Sequence, residues 1–475
     1  MKLKKAFLAP VDNAWLRMED PTNLMMITGV FLFQEPLEMD RLKVVIEQRL
    51  LSYRRFRQRV VQSNFQPSYW EDDPNFDLDA HIHRVALPSP GDQEALQNLI
   101  NDLMSTPLDF SKPLWHAHLV ENYGEGCALI MRLHHCIADG IALMRVLLNF
   151  TDETADEAPL VVEEAEGGQS PPTQEKSALT LPGPVKAAVN TTQKLAGAIV
   201  HEGMETLLNP SRAVDAAKLG ADSTTTLGRL LLLSPDPKTP FKGPLGVRKV
   251  CAWSQPISLP DVKAIGKVTS GTVNDVLLTA VSGALGRYLH TRGEPAGGLD
   301  FRAVVPVNLR PLDEEPKLGN AFGLVFLSLP VGIADPLDRL FELKKRMDGI
   351  KGTPEAIVSF GILAGIGVST SQIQDIVVKI FGMKATAVMT NVPGPREVRY
   401  LAGKPIDGLM FWVPQSGKLG LGVSIMSYNN EVLLGIATDA GLVPDPETIV
   451  NGFHEEFEAM MGLVAAAREM DTETT

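Results

Sequence analysis

Cysteine is scarce in this chain, with three residues in 475, Cys127, Cys136 and Cys251. Three are too few for a disulfide framework and point to a reducing cytoplasm. No run of about 18 apolar residues escapes charges and helix breakers, so no transmembrane helix is expected. The basic start Met1-Lys2-Leu3-Lys4-Lys5 leads into an apolar piece that stops at Pro10 and Asp12, a poor secretory signal. Positive charge is in deficit, with 44 Lys and Arg against 57 Asp and Glu. The resulting net charge of -13 argues against general nucleic-acid binding, although it permits a local basic patch for a phosphate-bearing substrate. No period of 20–50 residues repeats, which excludes a solenoid. There is no G-x-S-x-G elbow to present a serine nucleophile, and no familiar zinc-ligand spacing.

What is present fits a globular α/β protein: 44% hydrophobic and 21% charged residues over a length that exceeds one ordinary core. Strand-like and helical patterns alternate in each half, so two α/β domains with mixed sheets are expected. We place the boundaries at 1–150, at an acidic linker with crossover helices over 151–245, and at 246–475. The linker reading rests on residues 151–175, which are acidic, poor in aromatics and carry Gly167-Gly168 and Pro171-Pro172. Residues 184–220 have helical composition. Near the N-terminus, Asp12 reads as the cap of a short helix over Asn13–Met18, and Met26–Phe33 as a buried strand. Tyr53–Arg59 is the most basic short run, read as a solvated helix end or as a phosphate contact. In the second half, Asn429-Asn430 suits the turn of a hairpin.

The chemistry concentrates on Leu133-His134-His135-Cys136-Ile137-Ala138-Asp139-Gly140. It follows an apolar strand and precedes a helix whose inward residues are expected at Ile141, Met144, Leu147 and Leu148. Histidine is the side chain best suited to take a proton near neutral pH. A carboxylate four residues on can hold the imidazole or the loop that carries it, and Gly140 permits close approach and a positive φ. With no serine or cysteine nucleophile in place, the apparent chemistry is a histidine base acting on a hydroxyl, amine or thiol of the substrate. The bare pattern fits a structural pair at a strand end equally well. His116, His118, His134, His135, Cys127 and Cys136 supply ligand types for a metal, but without a recognised spacing we expect no metal site.

His134-His135-x-x-x-Asp139-Gly140 resembles the HHxxxDG motif of the CoA-dependent acyltransferase superfamily. Within it, the chain is similar to the bacterial wax ester synthase/acyl-CoA:diacylglycerol acyltransferase family. The matching stretches are LAPVDNAWLRMED, FRQRVV, DLDAHIHRVALPSPG, Pro113-Leu114-Trp115, Asn274-Asp275, VPVNLRP, Asn391-Val392-Pro393-Gly394-Pro395 and GVSIMSYNNEVLLGIATD. In order, they cover nearly the whole chain outside about 151–220. The DFGWG motif of plant-type relatives is absent, as is any carrier-protein module of the kind that accompanies condensation domains.

The resemblance implies two chloramphenicol-acetyltransferase-like domains with a tunnel at their interface. It implies transfer of a long-chain acyl group from acyl-CoA to a fatty alcohol or to diacylglycerol, giving wax ester or triacylglycerol. His135 is then the general base, His134 its shaping neighbour and Asp139 a brace, with no acyl-enzyme. Acyl-CoA is a substrate, and no cofactor is expected. Related enzymes pair the motif aspartate with an arginine at a strand end, which here is Arg310. Asn274 is a candidate hydrogen-bond donor to the developing oxyanion, with helix capping as its alternative, and Asp275 is read as a capping support. Gly361, Ala364 and Gly365 in IVSFGILAGIGV leave room for a tunnel or for close helix packing. Pro113, Leu114, Trp115 and Asn391 complete the candidate tunnel residues. The implied location is cytoplasmic, peripheral to the inner membrane or to lipid inclusions, and a homodimer is compatible with it. The competing enzymatic reading is a condensation-like acyltransferase with a carrier-bound donor or an amine acceptor.

Overall fold

A computed structural model of the chain describes residues 5–62, 67–155, 226, 228–230, 232–310 and 318–473. The expected helices over 184–220 and most of the acidic linker lie outside these residues. The strands are β1 (Ala6–Phe7), β2 (Met26–Phe33), β3 (Gln58–Val61), β4 (Tyr69–Asp72), β5 (Ile82–Ala86), β6 (Trp115–Tyr123), β7 (Gly126–His134), β8 (Lys249–Trp253) and β9 (Ile257–Ser258). They continue with β10 (Phe301–Asn308), β11 (Phe322–Leu329), β12 (Ala387–Pro393), β13 (Tyr400–Leu401), β14 (Lys404–Pro405), β15 (Gly408–Trp412), β16 (Leu421–Tyr428) and β17 (Glu431–Asp439). The helices that matter here are α1 (Pro10–Arg17), α2 (Met39–Val45), α3 (Gln93–Met104), α4 (Gly140–Phe150), α5 (Leu259–Thr269) and α6 (Val273–Thr291). After them come α7 (Pro336–Ile350), α8 (Glu355–Val368), α9 (Ser371–Met383) and α10 (Pro446–Glu473).

Two mixed sheets organise the molecule. The first runs β15-β2-β7-β6-β5, and the second runs β11-β10-β12-β16-β17-β8 with β9 also on β17. In the first sheet β5 lies parallel to β6 and the other pairs are antiparallel. In the second, β12 is parallel to both β10 and β16. One hydrophobic cluster covers the first sheet, and a second packs α5, α6, α7 and α10 on the other. β7 is buried along its whole length, so its apolar run GCALIMRLH holds the middle of a sheet. The hairpin between β16 and β17 turns at Asn429 and Asn430, with φ of 48° and 61°, the left-handed pair that asparagine tolerates.

Several expectations change. β15 comes from the second half of the chain and pairs with β2, Met410 opposite Val30, so a cut near residue 245 does not separate the two sheets. Thr151 and Asp152 belong to the packed structure rather than to the linker. Arg399 Nη2 donates to Thr151 O at 2.7 Å, and Asp152 and Tyr400 exchange backbone hydrogen bonds. Asp12 does not cap α1; the helix starts at Pro10 with Ala9 as its cap, which places Asp12 inside it and buried. Within the basic run, Arg54 pairs with Asp72 and Arg59 with Glu71. Leu148 of α4 is exposed, and the buried face is Ala142, Val146 and Phe150.

The two halves meet along α1 and α8. Asn13 Nδ2 donates to Gly367 O at 2.5 Å, Arg17 Nη1 to Ser369 O at 2.7 Å and Gln374 Nε2 to Ala14 O at 3.2 Å. A side chain at Gly367 would overlap the carbonyl oxygen of Pro10, so the approach of the helices requires glycine there.

Candidate active site

His134 is the last residue of β7, and the chain turns at once into α4. The turn is held from both halves. Asp139 caps α4 by accepting from Ala142 N at 3.1 Å. The same carboxylate accepts Ala321 N at 2.9 Å and Arg310 Nη1 at 2.8 and 2.6 Å. Arg310 Nη2 also donates to Gly319 O at 2.7 Å, and Asp139 N donates to that oxygen at 3.3 Å. Both side chains are about 5% exposed, at 6% for Arg310 and 5% for Asp139. The pair therefore ties the motif to the segment between β10 and β11.

The two histidines have different surroundings. His134 Nδ1 accepts from Cys136 N at 3.0 Å, which leaves the proton on Nε2. Nε2 lies 3.4 Å from Glu19, whose Oε2 also accepts from Met25 N at 2.5 Å. His134 is fully buried and borders none of the three cavities described below. His135 borders the central cavity with Asp139, Gly140, Asn391 and Phe322. Its ring stacks on Trp15 at 4.3 Å between centroids, with Phe322 at 5.7 Å. Its backbone is pinned by His135 N to Met25 O at 2.8 Å and by Asn320 Nδ2 to His135 O at 2.8 Å. Burial lowers its pKa to about 4 against the opposing pull of the Asp139 charge, so the ring is neutral at physiological pH.

Asn320 is the link that single-sequence reasoning missed. Its side chain and backbone N both donate to Asp12 Oδ1, at 2.8 and 2.9 Å. Asp12 is buried, and burial raises its pKa to about 6 although the hydrogen bonds from Asn320 oppose the rise. Trp15 was missed as well. Its signal was the spacing Val11, Asp12, Trp15, Leu16, which puts a carboxylate and an indole on the inward face of α1.

Gly140 stands where the central cavity meets a second, apolar one lined by Ile27, Phe31, Met131, Leu143, Met144 and Met410. Both cavities also touch Val392, Phe411 and Val413. Gly140 does not use a positive φ; its significance is the space it leaves opposite Val392. On the other side, a third cavity shares Trp15, Val304, Leu324 and Ser416 with the central one and extends between α8 and α9.

The expected tunnel residues divide. Asn391 lines the central cavity, and its Nδ2 donates to Asn274 Oδ1 at 2.6 Å. Asn274 itself is exposed at the start of α6 and lines none of the three cavities. Asp275 closes a capping box with Thr272, accepting Thr272 N and Oγ1 at 2.8 Å each. Gly361, Ala364 and Gly365 do not border any of these cavities. At 100° per residue they lie on the face of α8 opposite Ser359, Ile362, Leu363 and Ile366, which do line the third one. Pro113, Leu114 and Trp115 are also off the cavities. Leu114 O accepts from His134 N at 3.0 Å, and Trp115 is a core residue donating to Phe56 O at 2.8 Å, so this stretch anchors the strand end.

Comparison with known proteins decides the family. The catalytic-domain model of wax ester synthase/diacylglycerol acyltransferases matches residues 8–277, and the model of the family's C-terminal domain matches residues 318–461. The chain belongs to the wax ester synthase/diacylglycerol acyltransferase family. It is an acyltransferase. It is 27% identical to a probable diacylglycerol O-acyltransferase of Mycobacterium tuberculosis, over 97% of this chain and 96% of that protein. It is 26% identical to an O-acyltransferase of Acinetobacter baylyi, over 98% and 99%. Among solved structures, the wax ester synthase/diacylglycerol acyltransferase of Marinobacter aquaeolei VT8 superimposes with a TM-score of 0.68 at 20% identity, covering 97% of this chain and all of that one. The first condensation domain of the calcium-dependent antibiotic synthetase shares the fold, with a TM-score of 0.58 at 14% identity over 97% and 96%. The α/β, two-sheet class of this family is therefore the fold of the chain.

Proposed function

We propose that the protein moves a long-chain acyl group from acyl-CoA to the hydroxyl of a fatty alcohol or of diacylglycerol. The observation that carries this reading is the position of His135. It is a neutral imidazole on a central cavity that shares walls with an apolar cavity on each side. Those shared walls support a tunnel through the domain interface, with one arm for the acyl chain and one for the acceptor. Each CH₂ buried there contributes about 0.8 kcal/mol of binding.

In this mechanism His135 takes the proton from the acceptor hydroxyl as the oxygen attacks the thioester carbonyl. The C–O bond forms, the C–S bond breaks, and the imidazolium returns the proton to the CoA thiolate. No acyl-enzyme intervenes and no cofactor takes part, acyl-CoA being a substrate. Asp139 and Arg310 act on the turn rather than on the reacting atoms. Asn391, held by Asn274, faces the central cavity as a polar group able to orient the acceptor.

Among the described residues, no helix is long and apolar enough to cross a membrane. Val368, Ile376 and Met383 are exposed on α8 and α9, beside the third cavity. They suit peripheral contact with a membrane or lipid-inclusion surface on the cytoplasmic side. The test is purified enzyme with labelled palmitoyl-CoA against a panel of alcohols and diacylglycerol, run beside His135→Ala. Ester formation lost in the variant is expected. Transfer only from acyl carrier protein, or only to amines, would instead favour a condensation-type reaction.

A further inference from the structure

On the face of the first sheet opposite the apolar cavity, three histidines converge that the proposed transfer does not use. β5 lies parallel to β6 with His83 directly beside His118, and His116 is two residues back on β6. Alternation along a strand puts all three on one face. His118 also sits opposite Ile130 of β7, whereas the apolar cavity beside the active site is lined by the neighbouring Met131, on the opposite side of the sheet. One ring nitrogen from each of the three lies within 4.8 Å of the others. The ring centroids are 4.9 Å apart for His83 and His118, and 5.0 Å for His83 and His116. His118 is 7% exposed, and its Nδ1 is buried with no hydrogen-bond partner among the described residues. His83 and His116 are only half-buried, so an ion has a route in.

We propose that His83, His116 and His118 form a binding site for a borderline divalent cation of the zinc class. Two ligands from one strand at i and i+2 and a third from its neighbour give three nitrogen donors, with a water to complete a tetrahedron. Ligands about 2.0–2.1 Å from a zinc ion lie roughly 3.3 Å apart. The nitrogens, within 4.8 Å of one another, must therefore close by up to about 1.5 Å. Burial keeps all three imidazoles neutral, the form that ligates. The donor set is nitrogen alone, which disfavours magnesium and calcium. Arg132 and Lys112 are the cations acting on these rings and oppose a bound ion. Arg132 is turned to the carbonyl of Thr106 and, at 3.3 Å, to Met26 Sδ. The ion would pin β5, the edge strand of its sheet, to β6, so its role is structural.

The experiment loads the full-length protein with zinc, removes free metal by gel filtration and measures bound zinc. Cobalt(II) in place of zinc reports the ligands by its absorption. One equivalent of zinc, a raised melting temperature, and a tetrahedral cobalt spectrum without thiolate charge transfer are expected. His118→Gln should weaken binding by more than the about 10–100-fold typical of losing an outer-shell partner. His83→Gln, on the edge strand, gives a second variant in case the first does not fold, and should also abolish the thermal shift. Failure to retain zinc, retention unchanged in His83→Gln, or a thiolate band would each overturn the assignment.

Discussion

His135, the proposed base, is a buried neutral ring, and its environment sets a measurable signature. An exposed histidine base would lose activity as pH falls through about 6.5. With its pKa lowered to about 4, His135 stays competent well below that. We expect kcat/KM for ester formation to stay level from pH 7 to about 5 and to fall only on approach to 4. An acid limb centred at 6.5 would mean that the essential base is another group. His135→Gln should lower kcat by roughly 10²–10⁴-fold. The pairing of Asp139 with Arg310 sets a different signature. Arg310→Ala leaves a buried carboxylate without its cation, which costs about 3–5 kcal/mol. A urea midpoint and an activity both unchanged would sink the bracing role. These residues were legible because they lie in recognisable stretches: His135 and Asp139 in one turn, Arg310 at a strand end. Asn320 and Asp12 were not. Asp12 lies in the recognised stretch LAPVDNAWLRMED but reads there as a helix cap, Asn320 is one polar residue in an ordinary segment, and what gives them meaning is a contact over 308 positions.

At the scale of elements, the strands around the motif were readable from their apolar runs, and the hairpin at Asn429 from its turn pair. The faces of helices were less so. The small residues of α8 gave no direction, because Gly and Ala suit a tunnel wall and a tight helix contact equally. Packing against α1 decides it at Gly367, and the cavity falls to Ile362 and Leu363. Leu363→Trp should therefore shift the preferred chain toward shorter acyl groups or smaller acceptors, whereas Gly365→Leu should not. Product profiles over a ladder of acyl-CoA and alcohol lengths check this. A shift caused by the Gly365 variant alone would return the tunnel to that face.

Over the whole molecule, the buried histidines make stability depend on acid. Burial lowers the pKa of His135 and His116 to about 4 and that of His118 to about 3. The unfolded chain takes up protons at these positions from about pH 6.5 downward, while the folded protein does not. Stability should therefore fall as pH drops from 6.5 toward 4. Asp12 acts in the opposite sense. Its carboxyl, raised to about 6 by burial, holds a proton in the fold that the unfolded chain releases until about 3.8, so its contribution grows as pH falls from 6. His81, His83 and His454 are also lowered by burial and add to the loss, while Asp236 and Glu355 are also raised by burial and side with Asp12. Six histidines against three carboxyls leave a net loss. Denaturant midpoints across pH 4–7.5 test it, and His118→Gln should flatten the slope.

The crossing of β15 into the first sheet has a consequence for synthesis. As the chain emerges from the ribosome, β2, β7, β6 and β5 are available early, but the strand that completes their sheet at β2 arrives only at residues 408–412. Until then the nascent sheet carries an open edge, the kind of surface on which chains associate wrongly. Residues 1–245 produced alone should aggregate, and co-production with residues 246–475 should rescue soluble protein. A soluble monomeric fragment would show that the edge is protected in another way. For this chain, the last quarter of translation is when the first half becomes safe.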